Sequence, residues 1–490
     1  MVWDFIRDHA FQFILVAYFI WVVGAVWTLL LQRRPAAATL AWIFAFVALP
    51  FVSGIYYMVF GPRRLHRRRI RYSLARRSIA GQIQEYIRGS ACKTKPRLSA
   101  EADALAKVVS RLGQGDPTFA TSVKLLDTGD TYLASLERAM AAAQHHVHCE
   151  YYIWEPDRVG TQVRDLLAAT AARGVEVRIV VDAVGSRAAN EAFWKPLVEA
   201  GGEVHHFNPL RLSAGGLNFA NFRTHRKIAV CDGAVGLIGG MNLHDPASAT
   251  RSGKNAWRDA AALIEGEPVR RLQRLVLENW VYAGGSFTLT PENLAQYFPP
   301  VSLDTRATAS LKPVQILASG PDDERAPIHA FFLSAISTAR QRIWIETPYL
   351  IPDEPLEAAL RIAELRGVDV QVIVPREGDS RLVTAASHTY CQSLGKAGVQ
   401  VYEYGPPMLH AKTFLVDDTV AVVGTANMDN RSFRLNFEVA AAFYDADTIA
   451  RLARRFDADR TASRSFPARQ RGPRITAFLE SIARLTSPVL

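Results

Sequence analysis

One pattern occurs twice in this chain and limits its fold more than any other feature. His225-Arg226-Lys227-Ile228-Ala229-Val230-Cys231-Asp232 is followed, six residues on, by Gly239-Gly240-Met241-Asn242. His410-Ala411-Lys412-Thr413-Phe414-Leu415-Val416-Asp417 is followed, at the same spacing, by Gly424-Thr425-Ala426-Asn427. Each copy reads H-x-K-x4-D-x6-G-[GT]-x-N. The apolar run after each lysine predicts a strand, and alternation along it places His and Lys on one face. A nucleophile or proton carrier then sits beside a fixed positive charge, a pairing suited to attack on a phosphate. Ordinary buried histidines would explain one H-x-K, but not two copies with identical internal spacing.

The surroundings of the motif repeat as well. Arg173-Gly174-Val175-Glu176-Val177 matches Arg366-Gly367-Val368-Asp369-Val370, and Glu150 with Pro156-Asp157 matches Glu346 with Pro352-Asp353. Gly202-Glu203-Val204 matches Gly398-Val399-Gln400-Val401 in the same way. Nearly constant offsets between copies mean duplication. Each copy predicts helix (133–143; 328–340), strand (147–153; 342–346), helix (161–173; 355–366) and strand (175–181; 368–374), with the H-x-K strand further on. Alternating strands and helices imply an α/β fold with a mixed β-sheet flanked by helices.

A chain of 490 residues requires more than one domain. Residues 11–31 are apolar and long enough to span a bilayer, and residues 36–60 form a second span broken by Pro50 and Gly54. With Arg33-Arg34-Pro35 as the turn, the two predict a transmembrane hairpin over 1–62. A basic juxtamembrane linker, 63–118, follows. Residues 61–97 hold twelve Lys/Arg against Glu85, a net of +11, so the rest of the chain sums to −1 out of the total of +10. The eight arginines between Arg63 and Arg77 place the bulk of the chain in the cytoplasm by the positive-inside rule. A nucleic-acid enzyme would carry its positive charge around the catalytic cleft instead. Cys92, Cys149, Cys231 and Cys391 form no disulfide framework, which fits a reducing compartment. His145, His146 and His148 are read as surface or satisfied histidines, and 475–485 as an amphipathic helix.

The paired motif resembles the phospholipase D superfamily and, within it, the bacterial cardiolipin synthases. Trp257-Arg258-Asp259, Ser319-Gly320-Pro321-Asp322 and Asn427-Met428-Asp429-Asn430-Arg431-Ser432 continuing to Leu435-Asn436-Phe437-Glu438 carry that narrower likeness, together with the N-terminal hairpin. The departure is His244-Asp245-Pro246, where a variable turn is expected. The resemblance implies two phospholipase-D-like domains, 119–300 and 301–490, related by a pseudo-twofold axis. It implies that Asp259 and Glu438 orient the histidines, and that His225 is the nucleophile. It also implies a membrane phosphatidyltransferase of the bacterial inner membrane, multi-pass, with cytoplasmic catalytic domains. Two phosphatidylglycerol molecules would give cardiolipin and glycerol, with anionic phospholipid and the bilayer as partners and no nucleic acid. The alternative within the superfamily is a phospholipase D-type hydrolase or another phosphatidyl transfer, with a nuclease ranked behind both.

The chemistry expected of such a site follows from its residue types. One histidine attacks phosphorus to make a phosphohistidine, and the other protonates the leaving alcohol, then deprotonates the incoming one. Lys227 and Lys412, with the amides of Asn242 and Asn427, hold the non-bridging oxygens. That positive charge stands in for a metal ion, so neither a metal nor another cofactor is expected. Asp232 and Asp417 are grouped with the catalytic motif, although bracing the motif strand or its turn is the more natural task for them.

Overall fold

The computed structural model describes residues 2–31, 36–49, 94–209, 222–286, 288–301 and 310–467, with scattered positions between 52 and 89. The chain divides into two compact units, one built on residues 1–68 with 211–218, the other on 69–210 with 219–490. In the first, helix Val2–Leu30 contains a 20-residue stretch, Phe11–Leu30, of mean hydropathy 2.3. That is long and apolar enough to cross a bilayer. Helix Ala36–Ala48 packs against it through Trp21 and Phe46, whose rings lie 5.2 Å apart, and Tyr18 donates to the Val47 carbonyl at 2.9 Å. At 13 residues this second helix is about 20 Å long, short of a full span. The rest of the expected second span is mostly outside the described residues. So are Arg33-Arg34-Pro35, the arginines at 63–77 and the segment 475–485.

In the second unit the duplication becomes a single 15-stranded sheet. The first half supplies β1 (Thr118–Leu126), β2 (His146–Tyr151), β3 (Glu176–Asp182), β4 (Glu203–Phe207), β5 (Ile228–Cys231), β6 (Val235–Gly239) and β7 (Ala261–Gly266). The second half supplies β8 (Lys312–Ser319), β9 (Arg342–Glu346), β11 (Asp369–Pro375), β12 (Gln400–Tyr404), β13 (Thr413–Val416), β14 (Val420–Gly424) and β16 (Glu438–Phe443), with β17 (Arg464–Ser465) at the edge. β10 (Leu350–Ile351) and β15 (Met428–Asp429) form a separate parallel pair. Outward from the centre one half reads β1-β7-β6-β5-β2-β3-β4 and the other β8-β16-β14-β13-β9-β11-β12. The two orders correspond strand for strand. The antiparallel pair β1–β8 joins them. Parallel pairs β2–β3–β4 and β9–β11–β12 beside antiparallel β5–β6–β7 and β13–β14–β16 make the sheet mixed, as the alternating pattern predicts.

Helices bury both faces. Val163, Leu167 and Ala171 of helix Arg158–Ala172 pack with Val177, Ile179 and Val181 of β3. Helix Ala100–Arg111, within the expected linker, buries Leu105 and Val109 against Phe331 and Phe332 of helix Pro327–Thr338. The repeated Pro-Asp pairs are helix starts. Asp157 accepts the Gly160 amide at 3.0 Å, and Asp353 the Leu356 amide at 3.3 Å, each capping the helix that follows.

The two motif aspartates end their strands at the far end from the histidines. Asp232 and Asp417 both adopt positive φ, 50° and 49°. The Asp232 carboxylate accepts the amides of Gln144, His145 and His146 at 2.8, 2.8 and 2.9 Å. Asp417 accepts those of Arg340, Gln341 and Arg342 at 2.9, 2.8 and 2.9 Å. Each thus fixes the start of the adjacent strand, β2 or β9. Their grouping with the catalytic residues is corrected by this placement: the chemistry needs a group at the histidines, and these carboxylates are spent at the opposite end. Asp417→Ala should therefore lower the thermal-unfolding midpoint of the solubilised protein, a loss of about 2 kcal/mol for three amides left without their carboxylate. An unchanged midpoint with abolished turnover would instead return Asp417 to the chemistry.

Candidate active site

The segments carrying His225 and His410 arrive at the sheet from opposite halves, and main-chain bonds set their register. The His225 amide donates to the Phe437 carbonyl at 2.9 Å, and the His410 amide to the Arg258 carbonyl at 2.7 Å. Phe437 and Arg258 immediately precede Glu438 and Asp259. Each histidine is consequently laid beside the carboxylate of the other half. His225 Nδ1 lies 3.0 Å from Glu438 Oε2 and 3.1 Å from Oε1, and His410 Nδ1 lies 2.6 Å from Asp259 Oδ2. The nearer carboxylate in sequence is not the partner in either case. With Nδ1 engaged, Nε2 is left as the reactive ring nitrogen.

Both carboxylates have their own supports. Thr425 donates its hydroxyl to Glu438, and Asn436 donates its amide at 3.2 Å. Asp259 accepts the Ala260 amide at 2.7 Å. The residue matching Thr425 in the first copy is Gly240, where a Cβ would stand 2.2 Å from Asp259 Oδ1. The Gly/Thr variation within the motif therefore follows the shape of the carboxylate it faces. Aromatic rings complete the walls: Tyr152 meets His225 edge-on at 5.0 Å, Trp257 lies 5.0 Å from His410, and His244 meets Trp257 at 4.9 Å.

Lys227 and Lys412 are almost sealed, 1% and 4% exposed. Each donates its ammonium to the carbonyl of its own histidine, Lys227 at 2.7 Å. Asn242 and Asn427 are buried with them. The Asn242 carbonyl oxygen accepts the Ile153 amide at 3.3 Å, while that of Asn427 has no donor among the described residues. The segment before His225 is clamped further, by the Arg223–Asp182 pair at 3.2 Å and by Glu150, which accepts from Thr224 and Asn279. Of the histidines read as surface or satisfied, His148 bonds Glu176 and Gln273 at 2.9 and 2.8 Å, and His146 is buried beside it.

Burial with uncompensated positive charge governs the titration here. Burial, then repulsion by Lys412, brings Lys227 down to about 7; burial brings Lys412 down to about 8 against the pull of Asp259 and Glu438. Burial and the two lysines hold His225 well below its ordinary value, and burial with Lys412 takes His410 to about 3. Burial raises Glu438 to about 7 although Lys227 opposes it. Burial also works against ionised Asp259, but the charges of His410 and Lys412 outweigh it and leave that carboxyl below its usual range. A phosphodiester would add negative charge beside the two lysines.

The histidines, lysines and both carboxylates expected from the sequence lie together here. Sequence reasoning missed Thr425 and Asn436 as supports, although both stand inside the motifs, and it missed Tyr152. Nothing in the spacing announces a ring that packs on His225.

A family profile described as "Cardiolipin synthase, PLD-like domain" matches residues 136–269 and 332–460, one match in each half. "Cardiolipin synthase 1" of Bacillus anthracis is 36% identical over 98% of this chain and 94% of its own length. "Cardiolipin synthase" of Geobacillus kaustophilus is 36% identical over 94% of this chain and 90% of its own. Among solved structures, the phosphatidylserine synthase of Haemophilus influenzae Rd KW20 superposes with a TM-score of 0.59 at 14% identity, covering 79% of this chain and all of that one, a likeness of fold. The fold and the paired motif define a two-half phospholipase-D-like protein. The chain belongs to the cardiolipin synthase family of that class.

The lysines give this site a measurable signature. At pH 8 Lys227 is mostly neutral and Lys412 about half so, and a bound phosphodiester monoanion raises both. Binding of dimethyl phosphate at pH 8 should therefore take up protons in the wild-type protein, measured by titration calorimetry in two buffers of different ionisation enthalpy. Proton release, or the same uptake in Lys227→Met/Lys412→Met, would contradict this electrostatic account.

Proposed function

We propose that this chain is a membrane phosphatidyltransferase that makes cardiolipin and glycerol from two phosphatidylglycerol molecules. The observation that carries the reading is the crossed arrangement of two H-x-K segments, each histidine held at Nδ1 by the other half's carboxylate. It offers two reactive Nε2 atoms with cationic side chains beside them, which is what double displacement at phosphorus requires.

In the proposed mechanism His225 Nε2 attacks phosphorus while His410 gives a proton to the departing glycerol oxygen. A phosphatidyl-histidine and free glycerol result. The hydroxyl of a second phosphatidylglycerol then loses its proton to His410, forms the new O–P bond, and the P–N bond breaks. Lys227, Lys412, Asn242 and Asn427 are assigned to the non-bridging oxygens, where charge builds in both transition states. Two features favour this division between the histidines. The Asp259 carboxylate stays ionised, so once a phosphodiester has added its negative charge it supports the protonated form of His410, the acid. Glu438, raised to about 7, leaves His225 less inclined to carry a proton. Asp259 and Glu438 are positioning residues in this scheme.

The same reading extends to the membrane. Residues 1–62 would form a two-span hairpin, and the arginines after residue 62 would hold the halves at 119–300 and 301–490 on the cytoplasmic side, next to anionic lipid. The anchor keeps phosphatidyl groups concentrated and water at the cleft limited, so the intermediate meets a lipid hydroxyl more often than water.

With phosphatidylglycerol vesicles as sole substrate, the purified enzyme should form cardiolipin and glycerol one to one, with little phosphatidic acid by mass spectrometry. His225→Ala and His410→Ala should each reduce turnover by more than about 100-fold without unfolding. Predominant phosphatidic acid, or either variant retaining a tenth of the rate, would refute the proposal.

A further inference from the structure

The catalytic core is nearly symmetric, yet the reaction must recognise an alcohol on one side of phosphorus. The structure departs from symmetry at Tyr349 and Asp379. Tyr349 lies just past β9, whose last residue Glu346 pairs with Thr413, the residue after Lys412. Thr347 accepts the Met428 amide at 3.2 Å, which ties this segment to the strand beginning directly after Asn427. Asp379 follows β11, which runs parallel to β9, so it emerges at the same end of the sheet. There the Tyr349 hydroxyl meets both Asp379 oxygens, at 2.7 and 2.8 Å. Asp379 is exposed and Tyr349 half-buried. The pair is close enough to the chemistry for the Asp379 charge to act on both Lys412 and Tyr152, the ring against His225.

Among the described residues the first half has nothing comparable. At the offset of 196 that matches Glu150 to Glu346, Tyr349 corresponds to Ile153; at the offset of 193 that matches Arg173 to Arg366, Asp379 corresponds to Ser186. Ser186 is buried and spent on the main chain, accepting the Trp154 amide and donating to the Tyr152 carbonyl, both at 2.9 Å. Asp182, the nearby carboxylate, is buried against Arg223.

A carboxylate at the rim of a phosphate cleft repels the phosphate, so its use lies with another part of the substrate. It accepts hydrogen bonds from hydroxyls, and a tyrosine hydroxyl beside it can accept one more. We propose that Tyr349 and Asp379 form the subsite for the glycerol head group, reading the hydroxyls of the alcohol that leaves and of the alcohol that enters. Entering and leaving alcohols occupy the same side of phosphorus, opposite the attacking histidine, so one subsite serves both steps. The asymmetry then makes the second half the alcohol-reading half. This inference rests on the transferase reading above and names the residues that choose the acceptor.

The experiment is a competition. Enzyme in phosphatidylglycerol vesicles is given isotopically labelled glycerol and ethanol at equal concentration, and labelled phosphatidylglycerol and phosphatidylethanol are quantified together. The wild-type enzyme should favour glycerol. Asp379→Ala should lower that preference about tenfold, and Tyr349→Phe by a smaller factor, as expected for lost hydrogen bonds to a hydroxyl. A ratio of two products from one intermediate is insensitive to general loss of folded enzyme, and the circular dichroism of each variant checks folding separately. An unchanged ratio in Asp379→Ala, with phosphatidyl transfer intact, overturns the subsite. A wild-type enzyme that gives phosphatidic acid, with neither cardiolipin nor an exchanged lipid, overturns the transferase reading instead.

Discussion

Two crossed bonds, His225 to Glu438 and His410 to Asp259, carry the logic of the molecule. A histidine that works at phosphorus needs its other nitrogen fixed. Here the fixing group comes from the opposite half each time, so neither half contains a finished set. The main-chain bonds from His225 to Phe437 and from His410 to Arg258 make the exchange stereochemically inevitable once β1 and β8 have joined the halves. The continuous sheet is therefore the device that brings two incomplete sites to one place.

Burial at this junction has an electrostatic consequence. Two lysines and two histidines are buried together, and removing them from water costs free energy that their protein partners recover only in part. The lysines turn to the carbonyls of their own histidines and the ring nitrogens stay neutral. A phosphodiester between them adds negative charge. Substrate binding and readiness for chemistry are then the same event, and the difference between Asp259 and Glu438 divides the labour between rings that the sequence presents as equivalents.

Much of this was legible beforehand. Repeated spacing exposed the duplication, and apolar runs gave β2, β3, β9 and β11 within a residue or two. Helix starts were set late, by four residues after Thr128, three after Asp157 and one after Asp353: the Thr128 cap went unread, and the two aspartates were read only as repeated residues. The carboxylates could be named but not paired with their histidines: distance along the chain favours the same half, whereas the strand order decides for the other. Asp232 and Asp417 kept their motif spacing for a structural reason, since a strand of fixed length ends in a fixed turn. The asymmetry at Tyr349 and Asp379 is not marked in the sequence, because it is a difference between copies and a repeat displays only what the copies share.

The central claim is that two half-motifs make one site with one nucleophile. Rapid quench of wild-type enzyme turning over phosphatidylglycerol with denaturant at neutral pH, which spares an acid-labile P–N bond, followed by digestion and mass spectrometry, tests it directly. The account predicts a single phosphatidyl group per chain, attached to the peptide containing His225. Equal labelling of the His225 and His410 peptides, or turnover with no covalent adduct under any quench condition, would contradict it.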